Sequence, residues 1–428
     1  MLALYMARRQ QQLEAEARLL NSGLEWWRTI SRDHQLSWTV RDVSIHDVDG
    51  MHRTKAGTEA LQMHTIEYYC AGKTPAPAVP ALVCLHGFGF GAALYYAALP
   101  ALAAEWNGAV FAVDTLGCGL SSRPRWPFAM GSSCDPTQAE QYFVDALEAW
   151  RQNVGLETMV LIGHSVGGYL AVAYAERHPE RCARLVLASP VGVPEPPASL
   201  KPWQDSRPLV LRIVFALWRR GHSPFTLAKQ LGQGRKMMTG YVTRRFADGQ
   251  GWIPKPELIE YLVRCVWCGG PHSAGGRVHS TLLAPGGVPP DTQGELAYAR
   301  KPIGGRILAP SMPNVACIYG EYDWMNWRNA KDVAVAAAAA RPLALVRVAQ
   351  ATHQLMIDNP RGFADAVLAT ARGEDPGVLG AGFGGRYGAA ACVWKRREPL
   401  PQDNDPIEVW VDGHEPEVQM QYVRPTVP

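Results

Sequence analysis

Three residues of this chain have the types, order and surroundings that acyl transfer by a serine demands. Ser165 lies in Gly163-His-Ser-Val-Gly167, at the end of the apolar run Met159–Ile162 and at the start of a helix-forming run that continues to Arg177. A strand-to-helix turn of this composition holds the serine in a strained backbone conformation, and its glycines let neighbouring chains approach. A serine hydroxyl is a poor nucleophile at neutral pH until an imidazole takes its proton and a carboxylate fixes that imidazole. Both follow downstream. Asp323, in Gly320-Glu-Tyr-Asp-Trp324, comes just after the apolar run Asn314–Tyr319, and His353, in Ala351-Thr-His-Gln-Leu-Met-Ile-Asp358, just after Ala344–Val348. Glu321 competes for the acid's place. Asp323 is preferred because it stands further from the strand end, on the loop that must reach the histidine.

The same chemistry needs hydrogen-bond donors for an oxyanion, supplied by the amide after the nucleophile and by one from the loop after an earlier strand. His86-Gly-Phe-Gly-Phe-Gly91 follows the apolar run Ala81–Leu85 and fits that loop. The donors are assigned to the amides of Val166 and Phe88, the latter kept accessible by Gly87 and Gly89. His86 and His164 are read as supports of the backbone and not as bases, and Cys118 as filler of the turn Asp114-Thr-Leu-Gly-Cys-Gly119.

These residues must be positioned by alternating elements. Strands are expected at Ala81–Leu85, Ala109–Val113, Met159–Ile162, Leu185–Ala188, Asn314–Tyr319 and Ala344–Val348. Helices are expected at Ala92–Ala104, Pro136–Asn153, Val166–Arg177, Trp327–Ala340 and Pro360–Ala371. This alternation implies an α/β fold with a mostly parallel central sheet flanked by helices. Residues 9–20 favour helix, and Gly23, with Trp26 and Trp27, reads as an anchoring turn. The expected organisation is an N-terminal helical or irregular extension (1–60), a first core part (61–190), an inserted lid (191–312), a second core part (313–372) and a Gly-rich linker with a polar, flexible tail (373–428).

Composition narrows the function classes. Of 428 residues 47% are hydrophobic and 19% charged, enough to bury a large core and too ordinary for a disordered or fibrous chain. A net charge of +3 gives no ground for nucleic-acid binding. No apolar run approaches a membrane span; the nearest, Pro208 to Trp218, is short and broken by Arg212. Arg8 and Arg9 follow the first apolar residues where a secretory signal would place them before, and nine scattered cysteines fit reduced thiols, so a cytoplasmic protein is expected. Cys265 and Cys268, with His272 and His279 downstream, lack a second pair at zinc spacing, and no metal is assigned. Gly380-Ala-Gly-Phe-Gly-Gly385 matches a dinucleotide motif only formally, having neither strand before it nor helix after it.

His86-Gly-Phe-Gly, Asp114-Thr-Leu-Gly-Cys-Gly-Leu-Ser-Ser-Arg-Pro124, Phe143-Val-Asp-Ala-Leu-Glu-Ala-Trp-Arg151, Gly163-His-Ser-Val-Gly-Gly-Tyr-Leu170 and Tyr319-Gly-Glu-Tyr-Asp-Trp-Met325 together resemble the α/β-hydrolase subfamily of phospholipid lipases and lipase coactivators. The resemblance covers about residues 80–190 and 313–372 and fades in the lid. It implies an α/β-hydrolase fold with an inserted lid and a Ser165–His353–Asp323 site that needs no cofactor. The implied substrate is a phospholipid or lysophospholipid at a membrane or lipid-droplet surface. Ser165 sets the chain apart from the coactivator branch, which carries asparagine there. His353-x4-Asp358 resembles the motif of glycerolipid acyltransferases and raises acyl-CoA as a further partner; alternatively Asp358 caps the helix that follows.

The lid adds a bias towards lipid. Residues 201–310 hold 16 Lys and Arg against six Asp and Glu, a net +10, so the remainder of the chain nets −7. Within it Leu209–Arg220 pairs an apolar run with Arg212, Trp218, Arg219 and Arg220, which suits a helix resting on anionic lipid. A small-ester hydrolase and a non-catalytic lipase-regulating adaptor remain as alternatives.

Overall fold

The apolar runs assemble into one eight-stranded sheet. Its strands are β1 (Leu36–Ile45), β2 (Leu61–Cys70), β3 (Ala81–Leu85), β4 (Val110–Val113), β5 (Met159–His164), β6 (Cys182–Ala188), β9 (Asn314–Gly320) and β10 (Leu343–Val348), arranged β1-β2-β4-β3-β5-β6-β9-β10. A short separate hairpin pairs β7 (Leu283–Pro285) with β8 (Ala297–Ala299). The computed structural model describes residues 2–31, 35–45, 60–129, 131–196, 209–222, 232–246, 253–266, 277, 281–285, 297–337 and 343–373.

From β4 to β10 all pairings are parallel, while β1 and β2 form an antiparallel edge. Central parallel strands are covered on both faces, which is why β3 and β5 are buried along their whole length. Alternate side chains divide between two cores. Val83, Leu85, Leu161 and Leu185 face α3 (Pro136–Val154) and α4 (Val166–Arg177). Leu82, Cys84, Val160 and Val186 face the cluster containing α1 (Leu2–Ser31), α2 (Leu99–Glu105) and α8 (Pro360–Arg372). Asp135 caps α3 by accepting from Thr137 N at 2.9 Å.

The register decides where chemistry can occur. Leu85 pairs with Gly163, His164 with Ala188, Ala188 with Ile318, and Gly320 with Val348. Five strands therefore end at one edge, and the loops leaving it carry His86, Ser165, Ser189, Asp323 and His353. This is the carboxyl edge at which open parallel sheets place their sites.

Three expectations about local structure are corrected. Gly23 makes no turn but lies inside α1, where a Cβ would come within 2.1 Å of the Tyr96 carbonyl oxygen; the glycine lets the helix close on that backbone. Residues 36–45, read as part of an irregular extension, are an edge strand paired with β2 along its length. Asp358 does not cap the last helix. Asn359 does, accepting from Gly362 N at 2.9 Å, with Pro360 at the first helical position.

The inserted segment contributes α5 (Leu209–Arg219), α6 (Gly234–Arg245) and α7 (Lys255–Tyr261), the last continued by a π-helical turn, Leu262–Val266. Trp218, expected at a lipid surface, is instead buried and donates from Nε1 to Leu283 O at 3.2 Å, because its side of α5 packs on the small hairpin. Leu209 and Ile213 are 68% and 50% exposed, and Arg212, Arg219 and Arg220 also face outward. Among the described residues no helix is long and apolar enough to cross a membrane. Cys268, His272, His279, Gly380–Gly385 and the rest of the expected tail after Gly373 lie outside them.

Candidate active site

Ser165 sits at the junction of β5 and α4 with φ 54° and ψ −116°, a conformation costing of the order of 1–3 kcal/mol for a non-glycine residue. Neighbouring strands hold it there. Its amide donates to Ala188 O at 2.9 Å, and its carbonyl accepts from Val191 N at 3.3 Å. The turn is tight because it lacks side chains at its flanks: a Cβ on Gly167 would lie 2.5 Å from Leu85 O. Gly87 has the same function towards the serine, since a Cβ there would meet Ser165 Cβ at 3.1 Å and His164 Nδ1 at 2.9 Å. The His86–Gly91 loop thus lies directly against the serine.

Across the edge, Asp323 and His353 meet. His353 Nδ1 is 3.1 Å from Asp323 Oδ1, and both side chains are buried. Asp323 also accepts the Met325 amide at 2.9 Å on Oδ1 and the Ser189 hydroxyl on Oδ2. Burial alone would raise its pKa, but the His353 ring and these donors outweigh burial and hold the carboxyl below the usual carboxylate range. The anion persists, and its Oδ1 favours the His353 tautomer with a proton on Nδ1. His353 Nε2 takes no hydrogen bond among the described residues, which leaves that nitrogen for a proton from elsewhere.

Two further histidines hold this geometry through hydrogen bonds. His164 Nε2 donates to the His353 carbonyl at 2.7 Å, and burial depresses its pKa to about 3, so it is neutral. His86 donates from Nδ1 to Gly87 O at 2.8 Å and accepts from Thr115 N at 3.1 Å on Nε2. Burial lowers its pKa as well. One ties β5 to the histidine loop and the other braces the glycine loop. Trp324, 43% exposed, stands with its ring centroid 4.4 Å from that of His353.

Comparisons with known proteins give the family of this fold. Residues 80–233 match the family described as alpha/beta hydrolase fold. Over 295 residues the chain is 30% identical to the mouse (lyso)-N-acylphosphatidylethanolamine lipase, covering 66% of this chain and 76% of that protein. The chain belongs to the α/β hydrolases, in the subfamily of phospholipid lipases and lipase coactivators. An Arabidopsis thaliana relative named 1-acylglycerol-3-phosphate O-acyltransferase is 32% identical over 298 residues, 68% of this chain and 66% of that protein. The chain thus spans just under two thirds of the plant relative's length. The carboxylesterase CesB of Bacillus subtilis shares the fold at 19% identity and a TM-score of 0.50, covering 84% of this chain and 99% of that one.

Within this α/β hydrolase the structure brings Asp323 and His353 together and leaves Glu321 apart: its Oε2 accepts from Gln350 N at 2.8 Å. Gly163, Gly167 and Val166 form the turn around Ser165, and Phe88 follows the glycine packed on it. Asp358, the second half of the His-x4-Asp spacing, faces Thr352 and Arg245, while the His353 ring faces Asp323. Cys118 is a turn residue, its amide donating to Thr115 O at 2.9 Å. Among the described residues no cluster of His, Cys, Asp and Glu is arranged to hold a metal ion. Sequence reasoning missed Ser189 and Arg245. Ser189 directly follows an expected strand, the one signal that could have raised it.

Proposed function

We propose that this α/β hydrolase is a serine carboxylester hydrolase that deacylates glycerophospholipids or lysophospholipids from the cytoplasmic side of a membrane or lipid-droplet surface. The observation that carries the reading is the strained Ser165 turn packed on the Gly87 loop, at the sheet edge where His353 is bonded to a buried, ionised Asp323. In this mechanism His353 Nε2 takes the Ser165 proton as Oγ attacks the acyl carbonyl. Asp323 holds the imidazole in the required tautomer and stabilises the imidazolium. The amides of Val166 and Phe88 stabilise the oxyanion. His353 then protonates the leaving lysolipid oxygen, and water, deprotonated by the same nitrogen, releases the fatty acid.

The substrate class is supported by the lipase name of the mouse relative and by the exposed face of α5. There Leu209 and Ile213 stand beside Arg212, with Arg219 and Arg220 at the helix end. Such a face suits anionic lipid, to which each nearby Lys or Arg contributes about 1 kcal/mol. A second reading is favoured by the plant relative's name. A lysophosphatidate hydroxyl would replace water as acceptor of the acyl group, with acyl-CoA as donor. Because Asp358 faces Thr352 and Arg245, this transfer would run through Ser165 and not through a His353–Asp358 pair.

The test is product analysis by mass spectrometry on vesicles of cardiolipin, phosphatidylethanolamine, phosphatidic acid and lysophosphatidate, with and without acyl-CoA, for wild type and Ser165→Ala. Fatty acid and lysolipid released by wild type, with a loss of at least about 10³-fold in the variant, is expected. Phosphatidic acid formed from lysophosphatidate equally by both proteins would overturn the serine mechanism. Vesicle binding without turnover by either would favour a lipase-regulating adaptor.

A further inference from the structure

The inserted segment reaches the site through one face of α6. Tyr241 and Arg245 are four residues apart and share that face, with Val242 buried between them. The Tyr241 ring lies 6.3 Å from that of Phe90, on the loop carrying the proposed oxyanion donor. One turn on, Arg245 reaches the loop carrying His353. Its Nε donates to Gln354 Oε1 at 3.1 Å, and its Nη2 donates to Thr352 Oγ1 and to Asp358 Oδ2. Thr352 and Gln354 are the two neighbours of His353, so one guanidinium grips the chain on both sides of the histidine.

Asp358 completes the grip. Its carboxylate is 1% exposed and accepts both the Thr352 amide at 2.9 Å and the Thr352 hydroxyl at 2.7 Å. On the other side, His164 holds the His353 carbonyl. The backbone of the histidine is therefore pinned before and after its Cα, and Asp323 fixes the ring. We propose that Arg245 is a positioning residue for His353, and that α6 straps the inserted segment to the histidine and oxyanion loops together. On this account the His353-x4-Asp358 spacing anchors a loop. The proposal rests on the serine-hydrolase reading. Its physical basis is that displacing a catalytic group by about 1 Å costs roughly 10²-fold in rate, and that a planar guanidinium holds several acceptors in one fixed fork where an ammonium offers rotatable donors on a flexible stem.

The experiment uses the full chain and a water-soluble nitrophenyl ester, so that lipid binding does not enter. It measures kcat, KM, the rate of Ser165 phosphonylation by a fluorophosphonate and the thermal midpoint for wild type, Arg245→Met, Arg245→Lys, Asp358→Asn and the Arg245→Met/Asp358→Asn double variant. Expected are a fall of about 30- to 100-fold in both kcat and phosphonylation rate for Arg245→Met with KM within about twofold, partial recovery in Arg245→Lys, and a double variant no slower than Arg245→Met. A wild type that labels at Ser165 beside an Arg245→Met protein within about twofold of it overturns the proposal and leaves the serine mechanism standing. So does a rate lost only in proportion to the unfolded fraction, for which Arg245→Lys, keeping charge and stem, is the check. A wild type that does not label at Ser165 overturns both.

Discussion

Among the described residues two histidines are hydrogen-bonded to carboxylates, and the difference between them separates a strut from a proposed proton carrier. His64, on β2, is 1% exposed, with Nδ1 at 2.8 Å from Asp42 Oδ1 and Nε2 at 2.7 Å from Glu16 Oε2. Burial would lower its pKa, but the Glu16 charge and the hydrogen bonds to Asp42 and Glu16 outweigh burial and push it up to about 10. Arg9 closes the cluster by reaching Asp42 at 2.8 Å. The imidazolium is thus permanent near neutral pH and locks α1 to β1 and β2. His353 has a carboxylate on one nitrogen only. What matters is how many ring nitrogens are capped, because a proton can be moved only through the uncapped one.

Asp323→Asn attacks the proposed proton carrier and carries the largest expected effect. An amide at this position favours the wrong tautomer, and kcat on a soluble ester should fall by about 10³- to 10⁴-fold. Because the folded-state pKa of Asp323 lies below its unfolded value, its stabilising contribution is present above the ordinary carboxylate range and lost as pH falls through the depressed value. His64→Gln attacks the strut. Here kcat should stay within about twofold, while unfolding in urea at pH 6 should show a loss of about 3 kcal/mol, typical of a broken buried pair. The pKa of His64 is raised, so its contribution is complete below the ordinary value of 6.5 and disappears as pH rises through about 10. The stability gap between wild type and variant should therefore narrow from pH 6 to pH 10. A fall in kcat as large as that of Asp323→Asn would erase the distinction.

How much of this was legible in the sequence follows from how local each signal is. The turn at Ser165 was readable because an apolar run, a Gly-x-Ser-x-Gly and a helix former are contiguous, and α4 spans Val166–Arg177 as expected. β3 was readable over its whole span, and β10 to within one residue at its start, for the same reason. β1 was missed because an edge strand buries little; from Ser37 to Asp42 its residues are exposed or only half-buried, and their alternation is weak. Trp218 was misplaced because the side of α5 that is buried depends on a hairpin some 65 residues later. Arg245 could not be found at all. Its partners lie more than a hundred positions away, and a basic residue in a basic segment gives no local sign of a buried grip.

Ser189 belongs to neither class until it is measured, and it makes the finest test of the comparison. It follows β6 directly with φ 46°, its amide donating to Ile318 O at 2.7 Å and its hydroxyl to Asp323 Oδ2. Alanine keeps the Cβ and the backbone, so the substitution removes one hydrogen bond and little else. Leaving a buried carboxylate oxygen without its donor costs about 1–3 kcal/mol, and the question is where that cost falls. If Oδ2 matters through the orientation of His353, kcat should drop about tenfold with KM unchanged, well short of Asp323→Asn because His353 and the Met325 amide still hold Oδ1. If kcat holds and only the unfolding free energy falls, the Ser189 hydroxyl is a strut like the Glu16 and Asp42 carboxylates around His64, and the boundary between the two kinds of histidine site passes between the two oxygens of Asp323.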